Sequence, residues 1–228
     1  MYVNSPYGIS IAHNGNLTNS KDLARELFHA EMRHINTDSD SEVLLNIFAH
    51  ELGKQKAILP SKKHYFQAVR KTHVRCQGAY AVVALITGFG LVAFRDPRGI
   101  RPLVIGEKDG PTKKEYIVAS ENASFSALGF KTLRDVEPGE AIYIDVDGNL
   151  HSEQCSDGSQ PTPCIFEYVY LARPDSTLDE ISVYKARMRM GKKLAEQIKK
   201  TKPDHDIDVA IPIPDSFPFL KPKLTISF

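Results

Sequence analysis

A short apolar run, Ile9, Ile11 and Ala12, stops at His13-Asn14-Gly15-Asn16, and no other stretch constrains the fold as tightly. Asn-Gly is the strongest short turn signal, so a strand ending in a tight turn is expected here. Thr18, Asn19 and Ser20 then offer side-chain oxygens for a helix N-terminus, with Leu23, Leu27 and Phe28 following at helical spacing. A second helix start lies in Ser39-Asp40-Ser41-Glu42. There Ser39 and Glu42 have capping-box spacing ahead of the apolar stripe Val43, Leu44, Ile47, Phe48 and Leu52. Asp40 falls in the first turn of that helix. On local pattern alone this is a turn and two well-capped helices.

Beyond it the pattern stays helical to Val74, with a break at Pro60 and with Phe66, Val69 and Val74 spaced for one face. From Gly78 it changes to β. Tyr80–Ile86 and Leu91–Phe94 are β-rich runs joined by Thr87-Gly88-Phe89-Gly90, as expected of a hairpin buried on both faces. Arg95-Asp96-Pro97-Arg98-Gly99-Ile100-Arg101-Pro102-Leu103 is a charged corner between strands, with Pro and Gly at turn-forming positions. Tyr116–Ala119 is another strand, and Ser120-Glu121-Asn122 opens a short helix through Phe125 and Leu128. Ala141–Val146 with Asp147-Gly148-Asn149 completes a strand and hairpin turn. Ser/Pro-rich residues 152–163 mark a boundary. Ile181 to Lys200 then reads as a helix, with Met188, Leu194, Ala195 and Ile198 on its apolar side and a solvated basic face opposite. Periodicity by itself supports only a mixed α and β protein.

Composition excludes several classes. The 228 residues, 42% hydrophobic and 25% charged, can bury one large or two small cores. Lys plus Arg (29) nearly balance Asp plus Glu (28), so no field of one sign invites nucleic acid or an acidic membrane. No apolar run approaches the ~18–20 residues of a membrane span, and no signal pattern opens the chain, so a cytoplasmic location is expected. The odd count of cysteines, Cys76, Cys155 and Cys164, without CxxC spacing, supports reduced structural thiols rather than a disulfide framework or zinc site.

The phrases AHNGNLTN and HINTDSDSEVLLNIF, together with DPRGIRPLVIG, ASE, EYVYLARPDS and IPIPDS, resemble the amidophosphoribosyltransferase family over about residues 2–216. The resemblance implies an α+β fold: an incomplete N-terminal-nucleophile glutaminase sandwich of helix, sheet, sheet and helix, followed by the start of a type I phosphoribosyltransferase α/β domain. The implied division is 1–151 for the partial glutaminase domain, 152–163 for a linker, 164–216 for the second domain and 217–228 for an unrelated tail. It also implies roles. Amide hydrolysis by a thiol passes through a tetrahedral oxyanion, and the family's donors correspond to the Asn14 side chain and the Gly15 N–H. Asp40 corresponds to the acid that grips the α-amino group of glutamine. The DPRGIRPL segment adds specificity, with no role assigned to Arg98 or Arg101.

Glutamine and phosphoribosyl pyrophosphate are the implied small-molecule partners, within a homo-oligomer, and the implied product is phosphoribosylamine. Ser216 matches a position that helps hold Mg²⁺ in the family, but no Asp-Asp pair and no Gly/Thr-rich phosphate loop follow it. This chain is therefore not expected to bind Mg²⁺. The family's nucleophile is an N-terminal cysteine, whereas this chain begins Met1-Tyr2 and looks truncated, so no glutaminase activity is expected of it alone. Two alternatives stand beside this reading: a non-catalytic fragment that binds glutamine or a parent subunit, and a glucosamine-6-phosphate synthase-type amidotransferase. IPIPDS argues against the latter.

Overall fold

The computed structural model describes residues 1–157, 160–204 and 208. Its first compact unit comprises residues 1–120 and 125–163. The strands are β1 (Tyr2–Val3), β2 (Ile9–Leu17), β3 (Gly78–Ile86), β4 (Gly90–Arg95), β5 (Val104–Asp109), β6 (Lys114–Ala119), β7 (Lys131–Asp135), β8 (Glu140–Asp145) and β9 (Leu150–Gln154). One antiparallel sheet has the order β1-β2-β3-β4-β8-β9 and the other β6-β5-β7. Three helices, α1 (Ser20–Glu31), α2 (Asp40–Gly53) and α3 (Lys62–Arg75), follow β2. The strand β9 extends to Gln154, into the stretch expected as linker.

Period-two alternation along the strands divides the core in two. Ile9, Ile11, Leu17, Tyr80, Val82, Ala84, Val92 and Phe94 pack with the helices, notably with Leu44, Ile47 and Phe48 of α2 and Phe66 and Val69 of α3. Ala81, Ala93 and Ile142 pack with Ile105 of the smaller sheet and with Leu103 and Val136, which adjoin its strands β5 and β7. The layers are thus helices, large sheet, small sheet. The helix α2 is buried along almost its whole length, from Glu42 to Leu52, which is why its apolar residues exceed a single stripe.

Several local expectations are overturned. His13-Asn14-Gly15-Asn16 is not a turn: β2 runs through it, and Gly15 pairs with Tyr80. Ser39 is the N-cap of α2 but makes no side-chain cap bond, and Glu42 reaches outward instead of closing a capping box. Its carboxylate accepts from Asn36 N and Nδ2 (2.8 and 3.0 Å) and from Thr37 N and Oγ1 (2.8 and 2.6 Å). Four donors hold it below the usual carboxylate range despite the opposing cost of burial. Val74 and Phe28 are exposed, because the buried face of α3 ends at Thr72 and His73 and that of α1 is Leu23 and Leu27. The expected helix from Ser120 shrinks to a 3₁₀ turn, Ser126–Leu128.

The corner after β4 is a buried polar core. Arg95, 2% exposed, donates to three carbonyls: Arg101 O (2.8 Å), Val136 O (2.8 Å) and Gly99 O (2.9 Å). Asp96, fully buried, accepts from Arg98 N (3.0 Å), Ile100 N (3.1 Å), Arg101 N (3.1 Å) and Tyr80 N (3.3 Å). A loop cannot be buried unless its backbone groups find partners, and these two side chains supply them.

The second unit, Glu121–Ser124 with the chain from Cys164, is organised differently. Glu121 accepts from Arg173 N (2.7 Å) and Ser176 Oγ (2.6 Å), and Asn122 accepts from Thr177 N (3.0 Å). A hairpin of β10 (Thr177–Leu178) and β11 (Ile181–Ser182) leads into α4 (Val183–Thr201). The buried line of α4 is Val183, Arg187, Gly191 and Ala195; of the residues expected on its apolar side, Ala195 is buried, Met188 and Ile198 are half-buried and Leu194 is exposed. Arg187 is not on a solvated face: it donates to Tyr168 O (2.7 Å) and Ala172 O (2.8 Å), carbonyls around the π-helical turn Glu167–Leu171.

Two measurements check this account. Asp96→Asn is nearly isosteric but puts an NH₂ group against converging N–H donors, so it should cost about 2 kcal/mol or more in urea unfolding, and an unchanged midpoint would refute the role. His73, beside the Tyr80 hydroxyl at 2.9 Å, is pushed down by burial to about 4, so it is neutral in the fold. The unfolded chain therefore takes up this proton first as pH falls, and the associated stability, complete above about pH 6.5, is lost on the way down to the folded value. Wild type should lose about 2 kcal/mol more than His73→Gln between about pH 7.5 and about pH 5. Equal losses would exclude His73 as the source.

Candidate functional site

Nine successive pairs hold β2 against β3, from Ile9–Ile86 to Leu17–Gly78. This regularity decides where each polar group of His13–Leu17 points. Ile11 N–H donates to Met1 O (2.9 Å) on the β1 side, whereas Thr18 N–H donates to Gln77 O (2.8 Å) on the β3 side. Strand alternation then places the N–H of Gly15 on the same edge as those of Ile11 and Leu17, away from β3. The strand β1, with Met1 before it, covers this edge only as far as Ile11, and Gly15 is exposed. Its N–H therefore lies on an open edge. Only glycine fits there, since a Cβ would stand 2.0 Å from Ala79 O at a φ of +149°.

Side chains alternate too. Ile9, Ile11 and Leu17 enter the helical core, so Asn14 projects from the opposite face. Its Oδ1 accepts from Arg101 Nη2, and its Nδ2 donates to Ser120 Oγ (3.2 Å). At the far end of β2, Asp40 Oδ2 accepts the Leu17 N–H (2.9 Å). As the first residue of α2, Asp40 also sits where the helix dipole favours an anion. One side of its carboxylate is thus committed to the fold, and its side chain keeps 20% of its exposure.

His13 stands between these groups, its Nδ1 2.9 Å from Ser41 Oγ and 3.9 Å from Asp40 Oδ1. Burial pushes its pKa down, Asp40 opposes this and Arg101 adds to it, so the imidazole is neutral near pH 7. The site holds one carboxylate, one guanidinium and a neutral ring, with amide donors between them. Such a set can recognise a small zwitterion and stabilise a developing oxyanion.

Asn14, Gly15 and Asp40, singled out in the sequence, thus lie on one strand and the helix that docks on it. Ser216 lies outside the described residues, and a lone hydroxyl does not make an octahedral Mg²⁺ site. His13, Ser41, Arg101 and Ser120 were not assigned roles from sequence, although Arg101 and Ser120 lie within the phrases DPRGIRPL and ASE. Glu31, His50 and Glu51 have metal-like spacing, but Arg75 fills the space with ion pairs to Glu31 (2.9 Å) and Glu51 (2.6 Å). Cys76 and Cys155 are free, buried and pushed up by burial to about 12, which suits structural thiols and not nucleophiles.

Residues 1–127 match the family described as glutamine amidotransferase domain. Amidophosphoribosyltransferases of Pseudomonas aeruginosa and Escherichia coli are 57% and 56% identical over 215 and 216 residues, 94% of this chain and 43% of theirs. The solved glutamine phosphoribosylpyrophosphate amidotransferase from B. subtilis, complexed with ADP and GMP, superposes with a TM-score of 0.76 at 30% identity, covering 100% of this chain and 45% of that one. This chain spans less than half the length of these relatives. It belongs to the glutamine amidotransferase domain family, and its relatives there are amidophosphoribosyltransferases.

Proposed function

We propose that this chain carries the glutamine site of an amidophosphoribosyltransferase, which releases ammonia from glutamine and uses it to displace pyrophosphate from phosphoribosyl pyrophosphate. The product is phosphoribosylamine, and the reaction opens purine biosynthesis. The observation that carries this reading is the open Gly15 N–H edge, flanked by the Asn14 amide on one side and the Asp40 carboxylate on the other.

Asp40 pairs with the α-ammonium of glutamine through the oxygen that Leu17 leaves free. Attack on the side-chain amide carbon moves negative charge onto its oxygen, where the Asn14 NH₂ and Gly15 N–H donate. Because they are set by strand and side-chain packing before the charge appears, little reorganisation is needed. We take the attacking thiolate to be neither Cys76 nor Cys155, since burial holds both protonated. Self-association and a cytoplasmic location belong to the same reading. No helix among the described residues is long and apolar enough to cross a membrane.

Titration calorimetry of this chain with glutamine tests the recognition half. Asp40→Asn should weaken binding by roughly 10–100-fold, the equivalent of a charge-assisted pair worth ~1.5–3 kcal/mol. Equal affinities would remove Asp40 from the substrate site. In a full-length enzyme carrying this domain, Asn14→Ala should lower kcat for glutamine hydrolysis by about 10²–10³ while ammonia-dependent synthesis persists. A parallel fall in both activities would mean lost folded protein instead.

A further inference from the structure

We propose that Arg101 is a positioning residue, which fixes the way the Asn14 side-chain amide faces. The proposal rests on the reading of Asn14 as an oxyanion donor. An Asn amide has nearly the same shape in its two flipped states, so something must decide which end presents NH₂. Ser120 cannot decide it, because a hydroxyl donates or accepts equally well. A guanidinium only donates. With Arg101 Nη2 against one end of the amide, that end must be Oδ1, and the NH₂ is forced to the other. There Ser120 Oγ, at 3.2 Å, takes one of its two protons. The second remains for an incoming oxygen.

Arg101 can hold this position because its own backbone is clamped on both sides. Its N–H donates to the fully buried Asp96 (3.1 Å), and its carbonyl accepts from the buried Arg95 Nε (2.8 Å). The side chain thus reaches from the corner after β4 to Asn14 on β2, two strands away in the sheet. Its charge is close enough to His13 to lower that imidazole as well. The corner Arg95–Leu103 therefore acts on the site as well as closing the sheet.

Proton NMR on this chain reads the flip directly, through the nuclear Overhauser effect between the Asn14 amide protons and the Ser120 β-protons. Arg101→Met should leave both flips populated and reduce that signal to roughly half, while Arg101→Lys, also donor-only, should keep it. Full signal in Arg101→Met overturns the proposal. If Arg101→Met does not fold, Arg101→Gln, which can donate or accept, should show the same loss, and full signal there overturns it equally. In a full-length enzyme carrying this domain, Arg101→Met should lower kcat for glutamine hydrolysis and leave KM within about twofold, because the oxyanion charge is absent from the ground state. An unchanged kcat also overturns it. Unchanged hydrolysis in Asn14→Ala would instead sink the oxyanion reading, leaving the orientation result intact.

Discussion

The unbroken pairing of β2 with β3 is the constraint on which the rest of this molecule depends. Hydrogen bonding to one neighbour fixes the direction of every backbone group from Ile9 to Leu17, and pleating fixes the face of every side chain. One strand therefore presents an apolar face to the helices, an amide to the other face, and a free N–H along its edge. The glycine is required at the point of closest approach, where Ala79 O leaves no room for a Cβ. A turn at Asn14-Gly15 would have scattered these groups.

A second constraint is the burial of charge at the corner after β4. An ionised side chain in the interior is costly unless every donor and acceptor is satisfied, and then removing one partner costs more than the pair contributed. Arg95 and Asp96 meet that condition by binding backbone rather than each other's charge, so they specify one loop conformation. The consequence for the site is indirect but firm. Arg101 leaves that loop at a fixed point, and its guanidinium meets Asn14.

Glu42 shows the same preference for tertiary over local satisfaction. At capping-box spacing its carboxylate could have turned back to Ser39, yet it binds two residues of the loop before α2. Those four contacts outnumber what a capping box supplies. They tie the loop to the first turn of α2, from which Asp40 reaches Leu17. The capping signal was real in its spacing and different in its partner.

Much of this protein was legible in the chain itself. Hydrophobic spacing located α2 and α3, the β3–β4 hairpin and β8, because burial of one face imposes period 3.6 or 2 on any sequence that folds this way. The family resemblance likewise marked the Asn14 amide, the Gly15 N–H and the Asp40 carboxylate. Only the tertiary structure decided that Asn14-Gly15 runs straight, since the competing turn is local and the nine pairs that override it come from residues far along the chain. It alone also decided that Arg187 is buried, that Glu42 faces the loop, and that Arg101 meets Asn14 across 87 residues. A sequence displays the chemistry of each side chain but not which distant donor will stand opposite it, because that pairing is settled when the sheet closes.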